Sequence, residues 1–354
     1  MAAHRRDAVG LGRRGAHAGG GAGALTARRF AWFAAACVLL AAVVVVSVMV
    51  GSAQLSPSTV WSALTAPDGG IDHNTIRQVR VPRTVLGLLV GAALGVGGAL
   101  MQAVTRNPLA DPGLLGVNAG AALAVVLAVA FLGFTRIEQY LWPAFAGAVV
   151  GAVLVVVIAS RAPGGATPLR LTLVGVAVTA VFTGITMSLS LVDPERFDRM
   201  RFWGVGSITD RPPGTVEAVL PFIAVGLVLA LLAGRALNAL ALGDDLAASV
   251  GARVAVIRLA GLAGLVILCG AATAAAGPIA FIGLMIPHAV RMTVGPDQRL
   301  VLAFAVVLGP VLLLSADVLG RLVVWPDELA VGVMTPLIGA PVLIWLVRRP
   351  EMRR

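Results

Sequence analysis

The sequence predicts an all-α integral membrane protein of ten transmembrane helices with both termini in the cytoplasm. Three observations carry that class. Of 354 residues, 58% are hydrophobic and 12% charged, with a mean hydropathy of +0.94, whereas a soluble domain carries about a quarter charged residues. That leaves too little polar surface to cover a water-soluble particle. A series of uncharged runs approaches the length of about 20 residues that crosses a bilayer. Finally, arginine placement divides the connecting segments into two alternating classes of charge.

Residues 1–29 are basic, rich in Gly and Ala and without apolar periodicity, and are expected to form a disordered cytoplasmic tail. The first span follows at 30–50. Arginines ahead of an apolar run that ends in Gly51-Ser52-Ala53 also fit a cleaved signal peptide, but the run exceeds the about 7 to 15 residues of a signal core. Further uncharged runs lie at 84–105, 114–135, 140–160 and 171–192, with shorter ones at 218–234, 300–316 and 329–347. The run 259–290 is too long for one crossing, since a single helix would reach about 48 Å against a hydrocarbon core of about 30 Å. Gly277-Pro278 lies inside it. A proline there removes a backbone bond and clashes with the preceding turn, so the run divides into a span ending near Ala276 and a shorter returning span. Residues 30–347 thus form one membrane domain, and 348–354 a second basic tail.

Charge tests the count independently. Both tails are arginine-rich, so the positive-inside rule requires an even number of crossings. With ten, the cytoplasmic segments hold 18 arginines and 6 acids, net +12, and the outer segments 9 arginines and 11 acids, net −2. All 27 basic residues are arginine, and the absence of lysine excludes a phosphate-binding loop of the G-x-x-x-x-G-K type and Schiff-base chemistry. Any ATP must be hydrolysed on another chain, and no enzyme activity is expected here. The net charge of +10 is dispersed between apolar spans, which indicates topology and not nucleic-acid binding. Cys37 and Cys269 lie in separate apolar runs, and His4, His17 and His73 lie outside the spans, so neither a disulfide framework nor a metal site is expected.

Two segments break the helical pattern. RNPLADPGLLGVNAGA, 106–121, carries Pro108 and Pro112 with Gly113, Gly116 and Gly120; AGPIAFIGLMIPHAVR, 276–291, carries Gly277-Pro278 and ends at Pro287-His288. Irregular backbone beside a span is tolerated where it is buried in protein or lines a wet cavity. To these add VRVPR at 79–83, GAALGVGGALMQAVTRNPLADPGLLGVNAGA at 91–121, Trp203-Gly204, LGDDLAASVG at 242–251 and DELAVGVMTPLIGAP at 327–341. By these motifs, in this order from about Ala31 to Val347, the chain resembles the FecCD family of ABC-transporter permeases, the type II importer fold of ferric-siderophore, haem and cobalamin uptake. It departs from the family pattern at Gln298, Ala330 and Pro336.

The resemblance implies a second permease subunit, identical or paralogous, two ATPase subunits holding ATP and Mg, and an extracytoplasmic substrate-binding protein. It implies no cofactor on this chain and places the chain in the cytoplasmic membrane, in contact with lipid. In the loop 235–258, Asp244 and Asp245 suit the start of a short helix, and Leu242, Leu246 and Val250 repeat at helical spacing to make one apolar face. By residues alone that helix either docks on a partner or lies on lipid. The resemblance implies ATPase coupling, through Leu242, Gly243, Ala247 and Gly251 with the loop between them.

Arg80, Arg83 and Arg321 fall on the outer side, where arginine is scarce. Snorkelling to headgroups is one account, and the resemblance implies docking of the binding protein instead, which suits the guanidinium's fixed fork of donors. Gln102, Asn107, Asn118 and His288, with Pro108, Gly277, Pro278 and Pro287, are candidates for the pathway or its gate. Asn107 and His288 are equally placed to satisfy carbonyls freed by their neighbouring prolines. The expected function is therefore an ABC-importer permease for ferric siderophore, with cobalamin or haem as the alternative. A secondary transporter is disfavoured because the five longest spans contain no Asp, Glu, Arg or Lys. An intramembrane enzyme would need a nucleophile beside a base, and none is visible.

Overall fold

The computed structural model describes residues 18–51, 55–134, 136–161, 163, 165, 167–192, 194 and 203–348. Among them every regular element is helical. In chain order they are α1 (Ala18–Met49), α2 (Pro57–Thr65), α3 (Ile71–Thr105), α4 (Val117–Leu132), α5 (Leu141–Arg161), α6 (Pro168–Val192), α7 (Thr215–Leu240), the short α8 (Asp244–Ser249), α9 (Val254–Ala276), α10 (Ile282–Val294), α11 (Gln298–Val323) and α12 (Val331–Val347). Seven of these are long and apolar enough to cross a membrane: α1, α3, α5, α6, α7, α9 and α11. Val117–Leu132, Ile282–Val294 and Val331–Ile344 are shorter apolar helices. The chain is a multi-pass membrane protein.

Several helices exceed the uncharged runs because a charged residue ends a run but not a helix, whereas α4 stops short of the run 114–135 at Gly133. α7 continues past Arg235, and α11 takes in Asp317 and Arg321. α1 begins at Ala18, so residues 18–29, expected to be disordered, form its first turns, since extending a formed helix costs far less than nucleating one. The rest of that tail, and 349–354, lie outside the described residues.

α3 also begins early, at Ile71, where a π-helical stretch, Thr75–Arg80, leads into Val81. Its wider turn, with the Val81 N–H reaching the Ile76 carbonyl, carries the helix into Pro82, which has no N–H to offer. α2 has no counterpart among the long apolar runs. Ser56 caps it by accepting the Thr59 N–H at 3.1 Å, and Pro57 occupies the first position, where a missing N–H costs nothing.

α3 is the central helix, almost wholly buried, with α7, α9, α10 and α11 around it. α1 and α12 pack on α11, while α4, α5 and α6 form a second group joined through α9. The end of the bundle at which α1 starts is called proximal below, and the end at which α1 finishes is called distal. Small residues set the closest helix crossings. A Cβ built on Gly98 of α3 would lie 1.9 Å from the Gly283 carbonyl oxygen of α10, and one on Gly120 of α4 2.3 Å from the Gly147 oxygen of α5. Such contacts let membrane helices gain dispersion and Cα–H contacts in place of a hydrophobic drive.

Gly98→Ala is therefore expected to destabilise the detergent-solubilised protein by about 3 kcal/mol, the upper end of overpacking penalties. Gly184 in α6 has nothing within 4 Å of its would-be Cβ. Gly184→Ala should instead gain about 0.5–1 kcal/mol by helix propensity. Thermal unfolding of the pair side by side checks this, and equal melting temperatures would refute the close crossing.

The divided run behaves as expected. α9 ends at Ala276 and α10 starts at Ile282, with Gly277 at φ +76° between them. The break is tied to the segment after α6, where the Ser207 N–H donates to the Ala276 carbonyl at 2.7 Å. A Cβ on Gly277 would meet the Trp203 carbonyl oxygen at 2.2 Å. The Trp203-Gly204 pair thus supplies the wall against which the helix breaks.

Candidate functional site

Three groups of residues singled out from the sequence fall at three levels of the bundle. At the proximal end, α8 stands between Gly243 and Gly251, which hold φ of +101° and +84°. Both are left-handed values that a side chain with a Cβ resists. Leu242, Leu246 and Val250 are 55%, 61% and 67% exposed, Leu246 on α8 and the other two just outside its ends, while Ala247 is fully buried beneath. The helix is shorter than the three-residue repeat expected of this loop, but all three apolar side chains are uncovered.

Asp244 leaves the helix start and pairs with two arginines, Arg106 just beyond α3 and Arg258 on α9, the latter at 3.2 Å to both carboxylate oxygens. Asp245 points to solvent. Neither Arg106 nor Arg258 stood out in the sequence, because the partners are remote along the chain.

Further into the bundle from that end, Pro287 lacks the N–H that would meet the Gly283 carbonyl four residues before it. Gln102 of α3 supplies the replacement: its Nε2 donates to the carbonyls of Gly283 at 3.4 Å and Leu284 at 3.2 Å. Its Oε1 accepts from Arg291 at 2.6 Å. This corrects the expectation for His288, which is buried with no hydrogen-bond partner for its Nε2 among the described residues. The freed carbonyl faces α3, on the side from which Gln102 reaches it.

Asn107 does not serve a carbonyl freed by Pro108: its Oδ1 accepts the Leu109 N–H at 3.0 Å in a local turn, and neighbouring Pro108 is exposed. Asn118, in the first turn of α4, accepts from the Thr273 hydroxyl of α9 at 2.9 Å and so joins the two helix groups. Gly277 and half-buried Pro278 mark the break ahead of α10, and buried Pro287 lies inside that helix.

Sequence reasoning missed Asp111. It caps the turn Pro112–Leu115 by accepting the Gly113 N–H at 2.8 Å, and lies with Leu94, Cys269 and Gly283 around a cavity of about 10 Å³. The 106–116 segment therefore folds back into the bundle, as irregular backbone beside a span must.

At the distal end, Arg80, Arg83 and Arg321 are 4%, 7% and 2% exposed. Arg83 forks onto Asp317 of α11 at 2.7 and 3.1 Å and onto Glu328 at 2.6 Å. Arg321 pairs with the same Asp317 and donates to the carbonyls of Ser47 at 2.8 Å and Val50 at 2.6 Å. Arg80 donates to the carbonyls of Val48 at 3.1 Å and Met49 at 2.7 Å.

Two arginines thus cap the C-terminal carbonyls of α1, where the helix dipole favours a cation. The third ties α3 to α11 and to the approach to α12. Their donors are turned inward: Asp317 takes up Arg83 and Arg321, and the α1 carbonyls take up Arg80 and Arg321, partners that one-dimensional spacing could not show.

A cavity of about 510 Å³ opens beside this cluster, lined by Gln78, Pro82, Arg83, Asp210, Arg211 and Glu217 among others. Arg211 donates to the carbonyls of Ser207 at 3.0 Å and Ala276 at 3.4 Å, so it holds the end of α9. Among the described residues no group of three His, Cys, Asp or Glu side chains could hold a metal.

Residues 39–349 match the FecCD transport family. The chain belongs to that family. It is 48% identical over 311 residues to the ferric enterobactin transport system permease protein FepD of Escherichia coli, covering 88% of this chain and 93% of that one. To the iron(3+)-hydroxamate import system permease protein FhuB of Bacillus subtilis it is 44% identical over 308 residues, covering 86% and 79%. Among solved structures it resembles one described as a metal-chelate type ABC transporter in an inward-facing conformation, with a TM-score of 0.77 and 26% identity, covering 89% of this chain and 98% of that one. FecCD membership covers the central bundle, the broken α9–α10 connection and α8 together.

Proposed function

We propose that this chain is the permease subunit of an ABC importer carrying ferric siderophore inward across the cytoplasmic membrane. The observation that supports this best is 48% identity with a ferric enterobactin permease over 88% of the chain, joined to an uncovered apolar face on α8. In this reading the three shorter apolar helices cross as well, giving ten spans, and both termini and α8 are cytoplasmic. A second permease, a copy or a paralogue, completes the pathway. Two ATPase subunits hold ATP and Mg, and a binding protein delivers cargo at the distal end.

Closure of the ATPases would push the face of Leu242, Leu246 and Val250. Asp244 would pass that motion to α3 through Arg106 and to α9 through Arg258. α3 in turn holds α10 through Gln102 and Arg291. With no lysine for a phosphate loop on this chain, ATP would be hydrolysed on the ATPase subunits.

The test is uptake of radiolabelled iron, presented as a panel of ferric siderophores beside labelled cobalamin and haem, in a deletion strain with and without the restored gene. Loss of iron entry on deletion and its return with the gene is the expected result. Collapse of cobalamin or haem entry with iron intact would reassign the substrate, and unchanged entry of every cargo would overturn the importer.

A further inference from the structure

The proximal end holds a group of arginines that the coupling loop does not use. Phe33 of α1 and Phe304 of α11 meet edge-on at 5.2 Å, which fixes the register of these two helices. Both run from the proximal end, so one turn below that contact stand Arg29 on α1 and Arg299 on α11. Arg29 reaches over Gly295, within 3.8 Å of its would-be Cβ, and Arg299 packs its stem on Gly234 of α7. Arg235 follows directly on α7.

Arg29 and Arg299 both act on the start of α11, and Arg235 stands on α7 next to the glycine on which Arg299 packs, so three exposed arginines from three helices lie at this end. One carboxylate stands among them, Asp297, and it is already engaged by Asn238 at 2.8 Å and the Arg299 N–H at 3.0 Å. Burial raises the Asp297 carboxyl, but these two bonds and the charges of Arg299 and Arg29 outweigh it and hold the group below the usual carboxylate range. Asp244 is occupied by Arg106 and Arg258. The local balance is cationic by two charges.

The surroundings are apolar and uncovered. Phe30 and Trp32 of α1 are 74% and 51% exposed, and Leu231 and Leu232 of α7 are exposed as well. α1 and α7 both pack on α11. Apolar flanks running from a level of arginines toward mid-bundle match a phospholipid, with chains along the helices and phosphate at the guanidiniums. Arginine suits phosphate by its fork of donors, and exposed tryptophan marks headgroup depth.

We infer that Arg29, Arg235 and Arg299 form a binding site for the headgroup of an anionic phospholipid at the proximal ends of α1, α7 and α11. The inference rests on the cytoplasmic placement of this end given above. Each arginine is expected to contribute about fivefold to affinity, screened by salt.

Purified full-length permease in neutral detergent would be titrated with phosphatidylglycerol, with phosphatidylcholine of the same chains, and with inorganic phosphate. Native mass spectrometry would count bound lipid, and thermal unfolding would read its effect. Phosphatidylglycerol binding at least tenfold tighter than phosphatidylcholine, with an upward melting shift that salt weakens, is the expected result for the wild type. In R29Q/R235Q/R299Q the preference should vanish, while R77Q/R136Q should keep it.

Equal binding of the two lipids would overturn the site, as would a preference that survives the triple substitution. A melting shift reproduced by inorganic phosphate alone would overturn the lipid as its source. The wild-type comparison stands even if the triple variant fails to fold. Lipid binding is scored without transport, so a wild-type protein that imports iron yet shows no lipid preference rejects this site, while a lipid preference in a wild-type protein that imports nothing rejects the importer.

Discussion

Double replacement L242D/L246D is expected to reduce ATP-driven uptake to background while leaving the permease folded and membrane-inserted. Both side chains are more than half exposed, so the isolated chain loses little packing. In a docked complex they would be the buried apolar anchors, and removing such an anchor costs about 2 kcal/mol. Two together weaken docking by about a thousandfold.

Co-purification of the ATPase and its stimulated turnover would measure the loss, with melting temperature as the control for folding. Wild-type uptake in the double variant would remove α8 from the coupling role. Replacing Gly243 or Gly251 by valine should act at the same step by another route. Both hold positive φ and have open space around the would-be Cβ, so the strain falls on the backbone of the loop and not on packing.

Asp317→Ala is expected to give the largest loss of stability, about 3–5 kcal/mol, because it leaves two buried guanidiniums without their carboxylate. Arg83 retains Glu328, and Arg321 retains the α1 carbonyls. Neither substitute removes the uncompensated charge next to Asp317. Glu328→Gln should cost less, since Glu328 is 23% exposed and water can screen the change.

Replacing the ion cluster with apolar side chains of similar size, R83M/D317L/R321M, should recover part of the loss, as buried ion pairs often can be replaced without net cost. Recovery should stop short of wild type, because the Ser47 and Val50 carbonyls then lose their donor. Thermal unfolding in detergent orders the set. A wild-type melting temperature for D317A would show that the cluster does not hold the distal end together.

Much of the fold was legible because membrane helices announce themselves by run length and by the charge between runs. The break at Gly277-Pro278 is a case in point: a 259–290 run cannot be one crossing helix, and proline shows where it must divide. The exposed apolar side chains around α8, Leu242, Leu246 and Val250, were legible in their local spacing, although the helix itself holds only Leu246. The early start of α3 was not, because Pro82 and the flanking arginines look like a boundary until a π turn absorbs them.

Polar residues divided differently. Arg80, Arg83 and Arg321 looked like outward-facing groups because the sequence shows a charge and a side of the membrane but not the partner. Asp317 lies 234 residues from Arg83 along the chain, and only packing of α3 on α11 brings them to 2.7 Å. Gln102 and not His288 serves the carbonyl freed by Pro287 for a similar reason.

The sequence by itself determined a helical, membrane-spanning chain of the FecCD type that cannot bind ATP in a phosphate loop, because apolar run length, proline and the absence of lysine are local properties. Tertiary structure alone decided which polar groups are spent inside the bundle and which face outward. Desolvation makes every buried charge find a partner, and helix packing decides which partner is within reach.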